Sequence, residues 1–479
     1  MFIGRRYELE LLEDFYKDND KKVACLTGQL GMGKTTLLKE FVKDRKHIFH
    51  IAYPTTEVGQ LVLFARAMQG VCDTEGFDNS ANLKTLSAQC EKVPTLVELL
   101  DAIEAAAGDE KLLLIIDEYN NFVKADASYE KTLHEYFTEK WVGNNIKLIM
   151  CGSSFLSMDK YVLGKKAIWK GADITSIRLD KMGFYDSCQF FPDKDANERA
   201  FLYGITGGIP GHLAEVNGDL ENVLSKLFLD AKSGTRLLPE STMSLDLREL
   251  SYYNRILMTL AQGNARVNQI SAIVNKPKDV VVPYMNTLMS IGVVQKHNAI
   301  TEKNNRKKTR YGIVNTNYLF WYRYVVPNID KYYSGELSDM YTQLIKPEIS
   351  DYMKTVFISM CKEYIKREAD NGKLPFTIDD IGNWWENDED KGTSVGFDLV
   401  ALGKCEERPC TVFARCYYSD GPIEMVTLKG LIEMTKHVSA EGDVFYVVFS
   451  RSGFHENTLT VAGAIKNIML ITLDDVAQL

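Results

Sequence analysis

The spacing Gly28, four residues, then Gly33-Lys34-Thr35 most constrains this chain, because its flanks are fixed in type. "VACLTG" (Val23–Gly28) is a short apolar run that predicts a strand, and "TTLLKEFVKD" (Thr35–Asp44) has helical spacing. Strand, glycine-rich loop and helix together predict a phosphate cradle over Gly28, Gln29, Leu30, Gly31, Met32, Gly33, Lys34, Thr35 and Thr36. Glycines let backbone N–H groups converge on phosphate oxygens, and the following helix presents its positive end. Lys34 can reach the β- and γ-phosphates, and the Thr35 hydroxyl suits Mg2+.

A second half is expected: an apolar strand ending in acid. "KLLLIIDEYNNF" (Lys111–Phe122) supplies it. Asp117 would hold Mg2+ through water, and Glu118 would act as general base on the attacking water. A third strand, "KLIMCGSS" (Lys147–Ser154), ends in hydroxyls. Ser153 or Ser154 stands where a polar residue can sense the γ-phosphate, and equally where a serine caps a helix. Apolar runs at His47–Tyr53 and Ile174–Leu179 bring the count to about five strands alternating with helices, which predicts a parallel α/β sheet. Both motifs fall at strand carboxyl ends, where such sheets bind ligands.

A chain of 479 residues exceeds one ordinary domain. No run of 18 apolar residues predicts a membrane helix. The start, "MFIGRRYELELLEDF", lacks the apolar core of a signal peptide. With nine cysteines scattered along the chain, a reduced, cytoplasmic setting is expected. The net charge of −9 divides unevenly. Residues 1–245 carry 36 acids and 29 bases (−7), 246–326 carry 4 and 12 (+8), and 327–479 carry 25 and 15 (−10). A basic segment between acidic ones fits a polyanion-binding module, and it also fits a module docked on acidic neighbours.

Three further segments carry a resemblance. "FIGRRYELELL" (Phe2–Leu12) looks like the segment before the phosphate loop in AAA-like ATPases, which packs near adenine. "TGGIPGHL" (Thr206–Leu213) resembles the glycine-x-proline motif of STAND signalling ATPases, whose proline, here Pro210, abuts the base. "YGIVNTNYLFWYRYVVPN" (Tyr311–Asn328) looks like the junction of the archaeal-type ATPases often called DEXX-box ATPases. The resemblance implies a P-loop NTPase core with a helical lid (1–245), a winged helix (246–326) and an α+β restriction-endonuclease-like domain (327–479). It implies ATP and Mg2+ as ligands, and ATP binding more firmly than turnover; the leading expectation is a slow ATPase acting as a nucleotide-controlled switch. One departure bears on turnover. Family members often carry Gly-Arg where this chain has Gly171-Ala172. An arginine there would stabilise transferred phosphate charge, and Lys170 could replace it only as a point charge.

The basic middle reads as three helices, 252–262, 267–274 and 277–292, then a hairpin around "TEKNNRKKT". Lys303, Arg306, Lys307, Lys308 and Arg310 would form a basic wing, with Lys276 and Lys278 nearby. Such a wing can track the backbone of double-stranded DNA, giving a second reading: a DNA-associated regulator gated by ATP. The third helix presents Asp279, Asn286 and Thr287 rather than a set of base-reading arginines. A protein partner is also compatible with this layout.

A third reading, a DNA nuclease, needs a set of acids in the C-terminal third. "IGNWW" (Ile381–Trp385) and Asp398 match the family's landmarks. Arg415 and Tyr417 stand where Glu and Lys are required, and Ile358 replaces an acid, so nuclease activity is not expected. Cys405, Cys410 and Cys416 lie near zinc-ligand spacing, but the closest histidine is His437, and the thiols are expected to pack.

Overall fold

The computed structural model describes residues 2–72, 93–218, 220–229, 238–302, 309–334, 340–388, 393–435, 438 and 440–479. Lys303, Arg306, Lys307, Lys308 and His437 lie outside the described residues. The chain divides into two compact units: Met1–Lys181 with Glu240–Glu249, and Met182–Pro239 with Leu250–Leu479.

The first unit is built on β1 (Val23–Gly28), β2 (His47–Ile51), β3 (Leu112–Asp117), β4 (Ile146–Gly152) and β5 (Ile174–Leu179). All pairings are parallel, in the order β2-β3-β4-β1-β5. Every residue of β1, β3 and β4 is buried, as continuous apolar runs require when helices cover both faces. The edge strands β2 and β5 mix buried positions with partly or fully exposed ones. This is the five-stranded parallel α/β sheet anticipated from the alternating pattern. The order adds that β4 stands between β1 and β3, so the phosphate-loop strand and the acidic strand are not neighbours.

In the second unit, the helices Ser251–Ala261, Val267–Val274 and Lys278–Ser290 are followed by an antiparallel pair, β6 (Val294–His297) and β7 (Arg310–Ile313). A mixed sheet follows: β8 (Thr377–Asp388), β9 (Thr393–Cys405), β10 (Arg408–Tyr417), β11 (Asp443–Ser450) and β12 (Ile468–Thr472), in the order β12-β11-β10-β9-β8. β8, β9 and β10 pair antiparallel; β10, β11 and β12 pair parallel. The 22-residue helix Ile349–Asp370 packs on this sheet. Its buried residues recur every three to four positions, from Tyr352 and Met353 through Val356, Phe357, Met360 and Cys361 to Ile365.

The segment Met182–Pro239, within the stretch 1–245 expected to hold the core and its helical lid, groups by packing with the C-terminal part of the chain. Tyr352 Oη donates to the Gly204 carbonyl at 2.7 Å, and Asn317 Nδ2 donates to the Ile205 carbonyl at 3.1 Å. "TGGIPG" lies in this segment. Gly207 and Gly208 have φ of 64° and 69°, and a Cβ at Gly207 would meet Asn315 Oδ1 at 1.8 Å. Only glycine fits there. Pro210 opens the short helix Pro210–Leu213, where its missing N–H costs no hydrogen bond.

The β6–β7 pair is tied to the C-terminal sheet. Ala299 and Ile300, in the loop leaving β6, share a core with Trp384, Trp385 and Phe397. Trp384 Nε1 donates to Thr301 Oγ1 at 3.1 Å, and the Arg310 guanidinium lies 4.5 Å from the centre of the Trp385 ring. Arg310, expected on a solvent-facing wing, is therefore stacked inside the unit.

Candidate nucleotide site

The loop from Gln29 to Gly33 leaves β1 at its carboxyl end and enters the helix Lys34–Phe41. Gly31 and Gly33 both have φ of 83°, a left-handed backbone that any side chain would strain. Such conformations build the nest of N–H groups that suits an anion. Gln29 and Leu30 are half-buried, Met32 is buried, and Thr36 faces solvent. Lys34 is buried, and its ammonium donates to the carbonyls of Gly28 at 2.8 Å and Gln29 at 3.0 Å. Its charge is held inside the loop.

Asp117 ends β3 and is 2% exposed. Its Oδ2 accepts from Thr35 Oγ1 at 2.5 Å, and its Oδ1 accepts from the Glu118 N–H at 3.0 Å. Cys151, on the intervening β4, donates its thiol to the same carboxylate; burial first, and then the Asp117 charge, push that thiol well above its usual range. Glu118 sits at φ 54°, ψ 45°, a left-handed geometry held by the strand-to-helix turn. Ser153 Oγ donates to Glu118 Oε1 at 2.5 Å. Ser154 caps the helix Phe155–Met158, accepting from the Ser157 N–H at 3.1 Å. Ser154 takes the cap role, and Ser153 touches the acid.

These donors suit a hard divalent cation. A hydroxyl and a carboxylate meet on one side of the loop, and both supply oxygen. Thr35 and Asp117 are the residues that would hold Mg2+. When bound, that ion would neutralise phosphate charge.

Arg5 and Cys151 did not stand out in the sequence. Arg5, 7% exposed and at φ 60°, donates to the Met32 carbonyl at 3.1 Å and the Asp180 carbonyl at 2.7 Å, and pairs with Glu8 at 2.8 Å. It ties the phosphate loop to the residue that follows β5. The only signal was "IGRRYELE", which gives no distance to Met32. Lys170 is exposed, and Gly171 has φ of 99°. Pro210 belongs to the second compact unit.

Residues 2–216 match the ATPase domain found predominantly in Archaea. These residues are an archaeal-type P-loop ATPase domain. Residues 321–428 match a second group, described as archaeal and bacterial proteins of unknown function. An uncharacterized protein of Methanocaldococcus jannaschii is 26% identical over 409 residues, covering 85% of this chain and 86% of that one. A shorter uncharacterized ATP-binding protein of the same organism is 39% identical over 46 residues, covering 10% of this chain and 78% of its own length. The Walker-type ATPase of Pyrococcus abyssi superposes with a TM-score of 0.52 at 18% identity, covering 67% of this chain and 96% of its own. That likeness extends the shared fold beyond the ATPase core. No described helix is long and apolar enough to cross a membrane.

In the C-terminal sheet, Asp398 on β9 is already engaged. Its Oδ2 accepts from the Cys416 N–H at 2.9 Å and lies 3.6 Å from Arg415 Nε, while Oδ1 lies 3.8 Å from Lys354 Nζ. Arg415 also donates to the Gly396 carbonyl. Cys410 and Cys416 are buried on one face of β10, which pairs with β11 without a bulge. Burial, and then the hydrogen bond with Cys416, push the Cys361 thiol well up.

Proposed function

We propose that this protein binds ATP with Mg2+ at the phosphate loop, hydrolyses it slowly, and uses the nucleotide state as a switch. One observation carries the reading: Thr35 and Asp117, 82 positions apart, meet at 2.5 Å, with Glu118 held beside them by Ser153. Lys34 would leave the Gly28 and Gln29 carbonyls for phosphate oxygens. Thr35 and Asp117 would separate to hold the cation between them. Glu118 would accept the proton of the attacking water. Ala172 stands where the resembled family often carries an arginine suited to developing phosphate charge, which supports slow turnover.

The test is ATP turnover by the parent and by Glu118→Gln, with binding measured for the parent and Lys34→Ala. Loss of tight binding in Lys34→Ala and loss of turnover in Glu118→Gln are expected. Tight ATP binding by Lys34→Ala would remove the site assignment, and parent-rate turnover by Glu118→Gln would remove the base.

A second reading rests on the three helices and the β6–β7 pair, an order that fits a winged helix spanning 246–326, with a net charge of +8. As a DNA-associated regulator, the chain would show salt-sensitive duplex binding, weakened by neutralising Arg306, Lys307 and Lys308. The stacking of Arg310 on Trp385 withdraws one cation from that surface and favours the switch reading. For 327–479, the ion cluster on Asp398 supports a nuclease-like fold kept without nuclease chemistry.

A further inference from the structure

Glu118 connects to more than the nucleotide. Ser153, which donates to it, is followed by Ser154, and both serines are buried. Ser154 Oγ donates to Asp246 Oδ1 at 2.6 Å, and the same oxygen accepts from the Leu156 N–H at 2.8 Å. Asp246 thus completes the cap of the helix beginning at Phe155. The turn leading into that helix is closely packed: a Cβ on Gly152 would meet Met158 Sδ at 2.4 Å. Ser153 and Ser154 are adjacent in the chain, so a shift of one bears directly on the other.

Asp246 comes from far along the chain. Its segment, Glu240–Glu249, returns to the first compact unit after the excursion Met182–Pro239. It is anchored there by the buried Met243 and Leu247, and tightened by Asp246 and Leu247 N–H bonds to the Met243 carbonyl at 3.0 and 2.9 Å. Past Glu249 the chain enters the second unit at Leu250. The last piece of the first unit is therefore fastened beside the residue that would act on ATP.

We infer that Asp246 is a positioning residue that couples the hydrogen bonding of Glu118 to the segment Glu240–Glu249, through the adjacent hydroxyls of Ser153 and Ser154. This rests on the reading of Glu118 as the base at an ATP site. A Glu118 turned to water on a bound nucleotide gives up the Ser153 hydroxyl. The freed Ser153 then reorients the turn, and the two-bond cap on Asp246 is held in one state and loosened in the other. Nucleotide shifts the segment only by this difference in contacts, as any ligand-driven switch requires.

The experiment is amide hydrogen exchange on the full chain, without nucleotide and with Mg2+ and the β,γ-imido analogue of ATP, whose binding is measured alongside. In the parent, exchange at the Leu156 N–H and across 240–249 is expected to change by roughly fivefold or more on binding. Ser153→Ala is expected to abolish that change. Asp246→Ala is expected to raise exchange across 240–249 in both states and to alter kcat by about tenfold with KM little changed. Asp246→Asn, whose amide oxygen can accept both bonds, is expected to restore parent behaviour. A parent that binds the analogue with unchanged exchange across 240–249 overturns the coupling and leaves the ATP site standing. A parent that binds no analogue overturns both.

Discussion

Thr35 Oγ1 donates to Asp117 Oδ2 at 2.5 Å although β4 separates their strands in the sheet. Asp117 ends β3, and Thr35 lies in the first turn of the helix that follows the loop leaving the carboxyl end of β1, so both lie on the carboxyl side of the sheet. Cys151, on β4, completes the arrangement by donating its thiol to the same carboxylate.

From this pair follows a metal dependence. Thr35→Ala removes one of two protein oxygens that would hold Mg2+. Nucleotide affinity in Mg2+ is expected to fall by roughly 10- to 100-fold, the equivalent of one charge-assisted contact, and to change little in EDTA. Titration of parent and variant with and without Mg2+ measures this. Equal losses in both conditions would remove Thr35 from the metal site.

Glu130 gives a pH dependence. Burial raises its carboxyl to about 7, offset in part by Lys160, and its Oε1 is buried without a hydrogen-bond partner. An acid with a raised folded pKa holds its proton more tightly when folded. Its contribution to stability is present in full below the ordinary value of 4.5 and is lost as pH rises through about 7. Glu130→Gln is expected to melt higher than the parent at pH 8 and to narrow that difference at pH 5. Thermal melts at both pH values decide it; a parent melting above the variant at pH 8 contradicts it.

The β9–β10 hairpin turns on Glu406 and Glu407, both left-handed at φ 46° and 63°, and Cys405 pairs with Arg408. Such a two-residue turn favours Asn-Gly. The double substitution Glu406→Asn, Glu407→Gly is expected to stabilise the fold by about 0.5–1 kcal/mol by removing strain and like charge. Urea unfolding monitored through Trp384 and Trp385 reports it.

Asp398 is expected to be structural. Asp398→Ala leaves the Cys416 N–H without its partner and the half-buried Arg415 without its carboxylate, at a cost of about 1–3 kcal/mol. A fall in Tm, with no Mg2+-dependent duplex cleavage in the parent, is the expected pair of results. Cleavage abolished by Asp398→Ala would reverse the assignment.

Much of the fold was legible because its signals are local. Leu112–Ile116 reads as a strand from an unbroken apolar run, and the Gly28–Thr35 loop from residues contiguous in sequence. The helix Ile349–Asp370 shows its buried face in its own periodicity. Arg310 illustrates the limit. Its charge and its place beside a basic run pointed outward, but its partner, Trp385, is 75 positions away. Ser153 was legible only as a hydroxyl at a strand end; its contact with Glu118 depends on the turn that sets Glu118 at φ 54°.

The sequence by itself determined the elements and the chemical groups: strand, phosphate loop, helix, and the acids Asp117 and Glu118. Backbone propensity and apolar periodicity act over a few residues, so a short stretch specifies them. Only the tertiary structure decided the insertion of β4 between β1 and β3, the tie from Arg5 to Met32, and the cap by Asp246 on Ser154. Strand order and long-range pairing follow from the simultaneous burial of all the apolar faces. No single segment encodes that, because the alternatives it excludes are arrangements of the whole chain.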